Sequence, residues 1–202
     1  MNEEQWIRDA QAGDLDAFNR LVISYQGLAY NVAYRLLGDD AGAQDATQDA
    51  FISAYRNLHS YKGGSFKAWL LRIVTNGSYD ELRRQKRRPQ LPLEPDPQDG
   101  EDAPDPAWLA DPGESPAELA ERVELNAAIQ RCLNQLDEEF RTAVVLVDVQ
   151  GMDYAEVAEI VKRPLGTVKS RLARARMRMQ ECLQGFAELL PDKFRLTGKG
   201  TP

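Results

Sequence analysis

Residues 61–88, YKGGSFKAWLLRIVTNGSYDELRRQKRR, carry the side chains with the most specific chemical potential in the chain. On a helix that begins near Ser65, a rotation of 100° per residue separates two stripes of side chains. The inward stripe is apolar or small: Phe66, Leu70, Ile73, Val74 and Gly77. The outward stripe holds an aromatic ring, an amide, a carboxylate and arginines: Trp69, Asn76, Asp80, Arg83 and Arg87. A helix that serves only as part of a core needs no such second stripe.

The order of these outward groups favours contact with a partly unpaired nucleic-acid strand. Aromatic faces stack on bases at about 1–3 kcal/mol each, amides and carboxylates bind base edges, and arginines bind phosphates. The flexible Gly63-Gly64 segment between Tyr61 and Phe66 suits a pocket for an extruded base. The alternative is that Trp69 belongs partly to the core and that the arginines only solubilise the end of the helix.

A second basic surface is predicted in residues 162–178, which contain seven Lys and Arg and no acidic residue. Helical spacing turns one set inward: Val168, Leu172, Ala175 and Met179. It turns another set outward, flanked by Lys169 and Arg171: Ser170, Ala173, Arg174 and Met177. Small outward residues allow close approach, so Ser170 and Arg174 are placed to reach base edges in a major groove. The alternative is a solvated basic face on a structural helix.

A third polar set, Asp45, Gln48 and Asp49, lies along one edge of a predicted helix over residues 40–58. Acidic and amide groups without a basic partner indicate a protein contact. Simple solvation explains the same spacing equally well.

These surfaces require helices, and apolar residues recur at helical spacing in both halves of the chain. The predicted helices cover about residues 2–11, 14–37, 40–58, 65–87, 116–135, 138–149, 153–161 and 165–183. Strand-like alternation is not sustained anywhere, so we predict an all-α fold of two small helical bundles. Residues 138–178 are typical of a helix-turn-helix within a four-helix unit, with tight turns at Gly151 and Arg163-Pro164.

The formal net charge of -7 is unevenly distributed. Residues 89–124 carry a net charge of -10, which leaves +3 on the rest of the chain, and local fields rather than the total govern nucleic-acid affinity. Because this stretch is rich in proline and acid, we predict a long acidic linker, in which Trp108 and Leu109 form a possible docking point. The predicted organisation is domain 1–88, linker 89–115, domain 116–183 and tail 184–202. The tail, with Phe186, Leu189, Leu190 and Phe194, either caps the second domain or serves a regulator.

Nothing in the sequence indicates catalysis or cofactor binding. Cys132 and Cys182 are predicted to be helix-packing thiols rather than a disulfide or a zinc site. His59 has no nucleophile or carboxylate in a recognisable motif beside it. No nucleophile–base pair, phosphate-cradling glycine loop or metal-ligand cluster occurs, so we predict no catalytic residue, metal or cofactor. With neither a secretory signal nor a membrane span in view, we expect a cytoplasmic protein without stable membrane insertion.

Three blocks of sequence, in order, resemble the extracytoplasmic-function (ECF) sigma factors of bacterial RNA polymerase. The first block has two segments that resemble the first part of sigma region 2: AGDLDAFNRLVISYQGLAYNVAYRLLGD and AQDATQDAFISAYRNL. The second block, SFKAWLLRIVTNGSYDELRR, resembles the promoter-melting part of the same region. The C-terminal block resembles sigma region 4: LDEEFRTAVVLVDVQGMDYAEVAEIVKRPLGTVKSRLARARMRM. The resemblance covers nearly everything outside the linker and the tail.

The resemblance implies a role for each surface. Residues matching Asp45, Gln48 and Asp49 would engage the clamp helices of the largest subunit of core RNA polymerase. Flipped non-template bases of the minus-ten promoter element would be captured by Tyr61, Lys62, Gly63, Gly64, Ser65, Phe66, Asn76 and Asp80, and we assign Trp69 to the same surface. The adjoining phosphates would be held by Arg83, Arg84, Lys86 and Arg87. The minus-thirty-five element would face Thr167, Lys169, Ser170, Arg171, Ala173 and Arg174.

Such a protein would bind core polymerase together with double-stranded and single-stranded promoter DNA, and promote DNA opening. The resemblance also implies a stress or envelope response under an anti-sigma factor, and a linker that threads the RNA path. Ala173 is small where relatives often have a larger side chain, which bears on the promoter sequence. A sigma mimic that titrates a regulator should have lost its basic stripes, whereas both are present. A stand-alone helix-turn-helix repressor leaves the aromatic-basic helix unexplained.

Overall fold

The structure, a computed structural model, describes residues 2–87 and 115–190, and in these ranges it contains helices and no β-strand. The prediction of an all-α fold is confirmed. The N-terminal half contains α1 (Glu3–Gln11), α2 (Leu15–Leu37), α3 (Asp40–Asn57) and α4 (Phe66–Arg87). The C-terminal half contains α5 (Pro116–Asn134), α6 (Glu138–Val144), α7 (Tyr154–Val161) and α8 (Leu165–Leu183). Shorter helical turns cover Leu58–Ser60, Val145–Val149 and Gln184–Leu189.

Local hydrogen bonds fix where the helices of the N-terminal half begin. The Asp14 carboxylate accepts from the backbone N–H groups of Asp16 and Ala17 and starts α2. α2 ends at Gly38, whose φ of 75° is a left-handed conformation that favours glycine. The Asp39 carboxylate then accepts from Gly42 N at 2.7 Å, so α3 begins almost at once. α2 and α3 are thereby joined by a very short turn.

The C-terminal half uses reciprocal caps. Ser115 and Glu118 form a capping box at the start of α5, and the hydrogen bonds from Ser115 lower the pKa of the Glu118 carboxyl. Asp153 and Glu156 form another at the start of α7. α7 ends at Lys162 in a left-handed conformation, with a φ of 50°, and the chain turns directly into α8. The predicted turns of the helix-turn-helix are therefore present.

One apolar cluster runs through both halves of the molecule. α2 lies at its centre and packs on α1, α3 and α4, while α8 packs on α5, α6 and α7. Leu36, Leu133 and Leu146 are almost fully buried where the halves meet. The two predicted bundles are thus packed against each other.

Arg141 on α6 connects the two halves through buried carbonyl groups. Its guanidinium donates to Leu36 O at the end of α2 (2.5 Å), and to Asn134 O (3.0 Å) and Leu136 O (3.2 Å) of its own half. Burial lowers the pKa of the Arg141 guanidinium. Nearby, a Cβ on Gly38 would lie 2.6 Å from Asn134 Oδ1, so the close approach of the halves also favours glycine there.

Further polar contacts extend this junction on both sides. Arg35 on α2 donates to the Asn126 side chain on α5 at 2.9 Å. Lys67 on α4 donates to Gln150 O at 2.8 Å, and Gln150 Nε2 donates to Asn31 Oδ1 at 3.1 Å. These contacts fix α4 and α2 against the turn that precedes α7.

The prediction of two packing thiols is wrong, because Cys132 on α5 and Cys182 on α8 form a disulfide. Their Cα atoms lie 5.7 Å apart although the residues are 50 positions apart in the chain. The spacing in sequence carried no sign of the pairing, since it arises only from the packing of α5 on α8. The bond connects the first helix of the C-terminal half to the helix that carries the second basic surface.

The beginning of the tail folds back on the C-terminal half. Phe186 is partly buried against the core, and the Arg131 guanidinium lies 5.8 Å from its ring centre. This geometry agrees with a cap on the second domain. The predictions for Trp108, Leu109, Phe194 and the Lys86 side chain lie outside the described residues.

Candidate nucleic-acid interface

The loop between α3 and α4, residues 61–65, is exposed at its tip and holds two glycines in left-handed conformations. Gly63 and Gly64 have φ values of 98° and 95°, and a Cβ on either would meet no neighbouring atom within 4 Å. These positions therefore select glycine for backbone conformation rather than for space. The Tyr61 hydroxyl donates to Gly64 O at 2.6 Å across the loop, and Ser65 Oγ accepts from Ala68 N at the start of α4.

The prediction of an exposed Trp69 is wrong, because the ring is partly buried against the core. Trp69 packs at 5.5 Å from the rings of both Tyr61 and Phe66. Phe66 is buried, with Tyr25 from α2 against its other side at 5.3 Å. Burial and the nearby carboxylate of Glu3 raise the pKa of the Tyr61 hydroxyl. The four rings form a wall behind the glycine loop, and only part of Trp69 is left for stacking.

The rest of the outward stripe on α4 is exposed as predicted. Asn76, Asp80, Arg83 and Arg87 are all exposed, and Arg83 forms an ion pair with Asp80 at 3.1 Å. Such exposed pairs contribute little, about 0–1 kcal/mol, so Arg83 is readily available to another anion. On the inward side, Phe66, Leu70 and Val74 are buried, whereas Ile73 and Gly77 are only partly buried.

The predicted faces of α8 are confirmed by their burial. The inward residues Val168, Leu172, Ala175 and Met179 are buried, and the outward residues Ser170, Ala173, Arg174 and Met177 are exposed. Lys169 is also exposed, and its ammonium lies 5.9 Å from the ring centre of Tyr154 on α7. Thr167 is partly buried, and its carbonyl accepts from Ser170 Oγ at 3.0 Å.

Three arginines of α8 are held by acidic residues of the same half. Arg171 pairs with Glu139, and its side chain is only 18% exposed. Arg176 pairs with Asp148 at 2.5 Å, a contact that raises the pKa of its guanidinium, and Arg178 pairs with Asp137 at 2.9 Å. Helical spacing within α8 gives no sign of these acidic partners, which lie between Asp137 and Asp148, in and around α6. They orient α8 on the domain.

The remaining cations of this surface have no acidic partner within residues 2–87 and 115–190: Lys162, Arg163, Lys169 and Arg174. They lie in the N-terminal half of α8 and in the turn before it. The exposed positive charge is therefore concentrated in the part of the helix where the small outward residues Ser170 and Ala173 allow DNA to approach closely.

Asp45, Gln48 and Asp49 are exposed on α3 and line a cleft toward α4. The other wall of the cleft includes Gly77, Glu81 and Arg84. Arg84 is paired with Glu81 at 2.6 Å, which leaves the α3 carboxylates facing outward. The structure thus brings the three polar residues together on one accessible edge.

Comparison with known proteins identifies the family. Residues 21–88 match Sigma-70 region 2, and residues 126–179 match Sigma-70, region 4. The chain is 36% identical over 187 residues to the RNA polymerase sigma-H factor of Pseudomonas aeruginosa, covering 90% of this chain and 94% of that one. It is 33% identical over 179 residues to the ECF RNA polymerase sigma factor SigW of Bacillus subtilis, covering 88% and 95% respectively. The chain belongs to the ECF sigma factors.

A solved structure also resembles this sigma factor, namely the Bartonella quintana sigma factor RpoE in complex with the anti-sigma factor NepR. The likeness has a TM-score of 0.64 at 28% identity, and covers 84% of this chain and 98% of that one. The prediction of an ECF sigma factor with two helical domains is therefore confirmed. None of the helices described in this sigma factor has the length and apolar content that crossing a bilayer requires.

Proposed function

We propose that this ECF sigma factor binds core RNA polymerase, reads the minus-thirty-five element with α8, and captures minus-ten bases with the 61–65 loop and α4. The observation that carries the proposal is the joint exposure of two basic helical surfaces, each backed by a buried apolar face. One surface suits intact duplex and the other suits separated strands. The protein supplies binding energy and the polymerase supplies the chemistry, so we propose no enzymatic activity for the chain itself.

The minus-thirty-five assignment rests on the N-terminal half of α8. Lys169, Ser170, Ala173 and Arg174 form an exposed face with two small residues between two cations. Arginine is suited to bidentate contact with guanine in the major groove, and lysine to phosphate contact. Thr167 supports this face through its carbonyl, and Arg171 supports it through the ion pair with Glu139. We therefore assign direct readout to Arg174 and orientation of the helix to Arg171.

The minus-ten assignment rests on the glycine loop and the polar stripe beside it. The backbone of Lys62, Gly63, Gly64 and Ser65 is exposed, and the aromatic wall behind it offers ring faces for a base leaving the stack. Asn76 and Asp80 follow on α4 with groups for base edges. The cations that follow them are proposed to hold phosphates: Arg83, Arg84, Lys86 and Arg87. Each captured base offsets a few kcal/mol of unstacking, which drives opening.

The core-polymerase assignment rests on the exposed edge formed by Asp45, Gln48 and Asp49. Its two carboxylates would meet basic residues of the clamp helices in the largest subunit. We further propose that residues 1–88 and 116–183, which pack against each other here, bind different elements of the promoter and are joined by the acidic linker. We place the protein in the cytoplasm, where polymerase and promoters are found. The resemblance to a sigma factor solved with an anti-sigma factor supports regulation by such a partner.

Run-off transcription with purified core polymerase on genomic fragments tests the proposal. The sigma factor is expected to direct specific products that core polymerase alone does not make. Absence of any product above the core-only control would favour a sigma mimic instead.

Two variants separate the proposed surfaces. Arg174→Ala is expected to weaken binding to minus-thirty-five duplex by about 1–3 kcal/mol and to relax sequence preference at one position. Arg131→Ala on α5 removes the same charge away from this face and is the matched control. Equal losses in both variants would mean that only net charge matters and would refute direct readout.

For the polymerase edge, the doubly substituted Asp45→Asn and Asp49→Asn variant is expected to bind core polymerase more weakly while duplex affinity is retained. The control for loss of two negative charges is the Asp16→Asn and Glu121→Gln double variant, at exposed positions on α2 and α5. Unchanged core affinity in the Asp45→Asn and Asp49→Asn variant, measured by anisotropy titration, would contradict the assignment.

A further inference from the structure

The last residue of α1, Gln11, donates hydrogen bonds to the backbone just before and at the start of the glycine loop. Gln11 Nε2 donates to Leu58 O at 3.0 Å and to Tyr61 O at 2.9 Å. Leu58 begins the helical turn after α3, and Tyr61 begins the loop. Both N–H groups of one amide are therefore directed at the backbone that leads into residues 61–65.

Within the loop, the Tyr61 hydroxyl donates to Gly64 O, and few backbone bonds add to this contact. Among the described residues, its backbone bonds are Tyr61 N to Leu58 O at 3.1 Å on one side and Trp69 N to Ser65 O at 3.1 Å on the other. Two consecutive glycines with positive φ allow many alternative paths in the absence of restraint. The position of the loop thus depends on the side chains that reach it, and Gln11 supplies the contact from outside the α3–α4 unit.

α1 is itself well anchored, so the Gln11 amide is presented from a fixed support. Ile7 and Ala10 are buried against the core. The Tyr25 hydroxyl on α2 donates to Glu3 Oε2 at 2.5 Å, and the Tyr25 ring packs on Phe66. The cleft between α1 and the loop is lined by Glu4, Arg8 and Gln11 on one side and by Lys62, Gly63 and Gly64 on the other. Gln11 is exposed, so its contribution to the core of the fold is small.

We propose that Gln11 is a positioning residue for minus-ten recognition, acting through its two hydrogen bonds to the backbone of Leu58 and Tyr61. This inference rests on the proposed function of the loop. Gln11 contacts no base in this role. It keeps the loop in the one conformation that admits a base extruded from the non-template strand, so the cost of ordering the loop is not incurred again on binding.

The test uses the full chain assembled with core polymerase and fork-junction DNA carrying the minus-ten sequence that wild-type holoenzyme selects from a randomised pool. Gln11→Met keeps the length of the side chain and removes both donors. Gln5→Met on the same helix is the matched control, because Gln5 donates to Asp9 within α1 and not to the loop. Readouts are affinity, preference for the selected over a substituted minus-ten sequence, and 2-aminopurine fluorescence at each non-template position.

For Gln11→Met we expect affinity for the selected fork junction to fall about tenfold, the order expected for two neutral hydrogen bonds. Preference over the substituted sequence should fall with it, and the 2-aminopurine signal should drop only at captured positions. Core affinity and the slope of affinity against salt should match the wild type, because no phosphate contact is lost. The melting temperature should fall by no more than about 5 °C, because the same two hydrogen bonds also stabilise the folded loop. Gln5→Met should behave as the wild type.

Wild-type preference and fluorescence in Gln11→Met would overturn the inference. A loss of core affinity, or a fall in melting temperature well beyond about 5 °C, would also overturn it, since Gln11 would then support the fold in general. If wild-type holoenzyme selects no minus-ten sequence from the pool, the proposed function itself fails, and this outcome is separate from any effect of the variant.

Discussion

Reduction of the disulfide between Cys132 and Cys182 is expected to lower the stability of the C-terminal half by a measurable amount. The bond closes a loop whose ends are 50 positions apart. In the chain-entropy account, opening a loop of this length stabilises the unfolded chain by about 4 kcal/mol at 25 °C. For a chain of this size, that change corresponds to a fall in melting temperature of roughly 10 °C. The loss should appear in the half that carries α8.

Urea unfolding of the full chain, followed by circular dichroism with and without dithiothreitol, measures the effect. The Cys132→Ala and Cys182→Ala double variant is the control, because its unfolding midpoint should not respond to dithiothreitol. Thiol titration of the same samples establishes which form is present. The difference between oxidised and reduced wild type should therefore exceed any difference in the double variant.

Two results would refute this reasoning. Equal midpoints for protein proven oxidised and protein proven reduced would mean that the cross-link does not restrict the unfolded chain as the account requires. Two free thiols that persist in folded protein after treatment with oxidised glutathione would mean that the cysteines do not pair. The cytoplasm proposed for this protein is reducing, so the reduced form also tests whether α8 stays folded under those conditions.

Two further predictions concern buried and partly buried polar groups. Arg141→Met should lower the free energy of unfolding by about 3 kcal/mol, because it leaves the buried carbonyls of Leu36, Asn134 and Leu136 without their charged donor; an unchanged urea midpoint would contradict this. For Tyr25, burial and the hydrogen bond to Glu3 raise the pKa of the folded hydroxyl. Stability from this group is full below the unfolded pKa near 10 and falls as pH rises above it, because only the unfolded chain then ionises. Tyr25→Phe should make the alkaline fall in urea midpoint shallower, and an identical pH profile for both proteins would refute the assignment.

The helices were predictable because their signals are local. Every predicted helix boundary lies within one residue of the structure except for residues 138–149, where α6 continues as a distinct turn over Val145–Val149. Apolar spacing sets the buried face, and capping residues such as Asp14 and Ser115 set the start. The faces of α8 were assigned correctly for the same reason, because an amphipathic helix with one apolar stripe can bury only that stripe.

The junction between the halves was not predictable from such signals. Arg141 follows Phe140 in an amphipathic segment, and its charge is typical of a surface residue. It is nevertheless buried against carbonyls of α2 and α5. The disulfide depends on the same kind of information, namely the relative rotation of α5 and α8. Periodicity fixes which side of each helix is apolar, and it does not fix which residues of two helices meet.

Trp69 illustrates the same limit within the candidate site. A rotation of 100° per residue places Trp69 beside Phe66, at the border between the two stripes, so the helix alone does not decide how exposed it is. It is partly buried because Tyr61, five residues before α4, folds over it from the loop. The path of that loop follows from two glycines and from Gln11, which lies 50 positions before Tyr61. The chemical groups of the site could therefore be predicted from the residues of one segment. The shape of its pocket depends on a contact from another helix, α1. Gln11→Met removes that contact and leaves every chemical group of the segment in place.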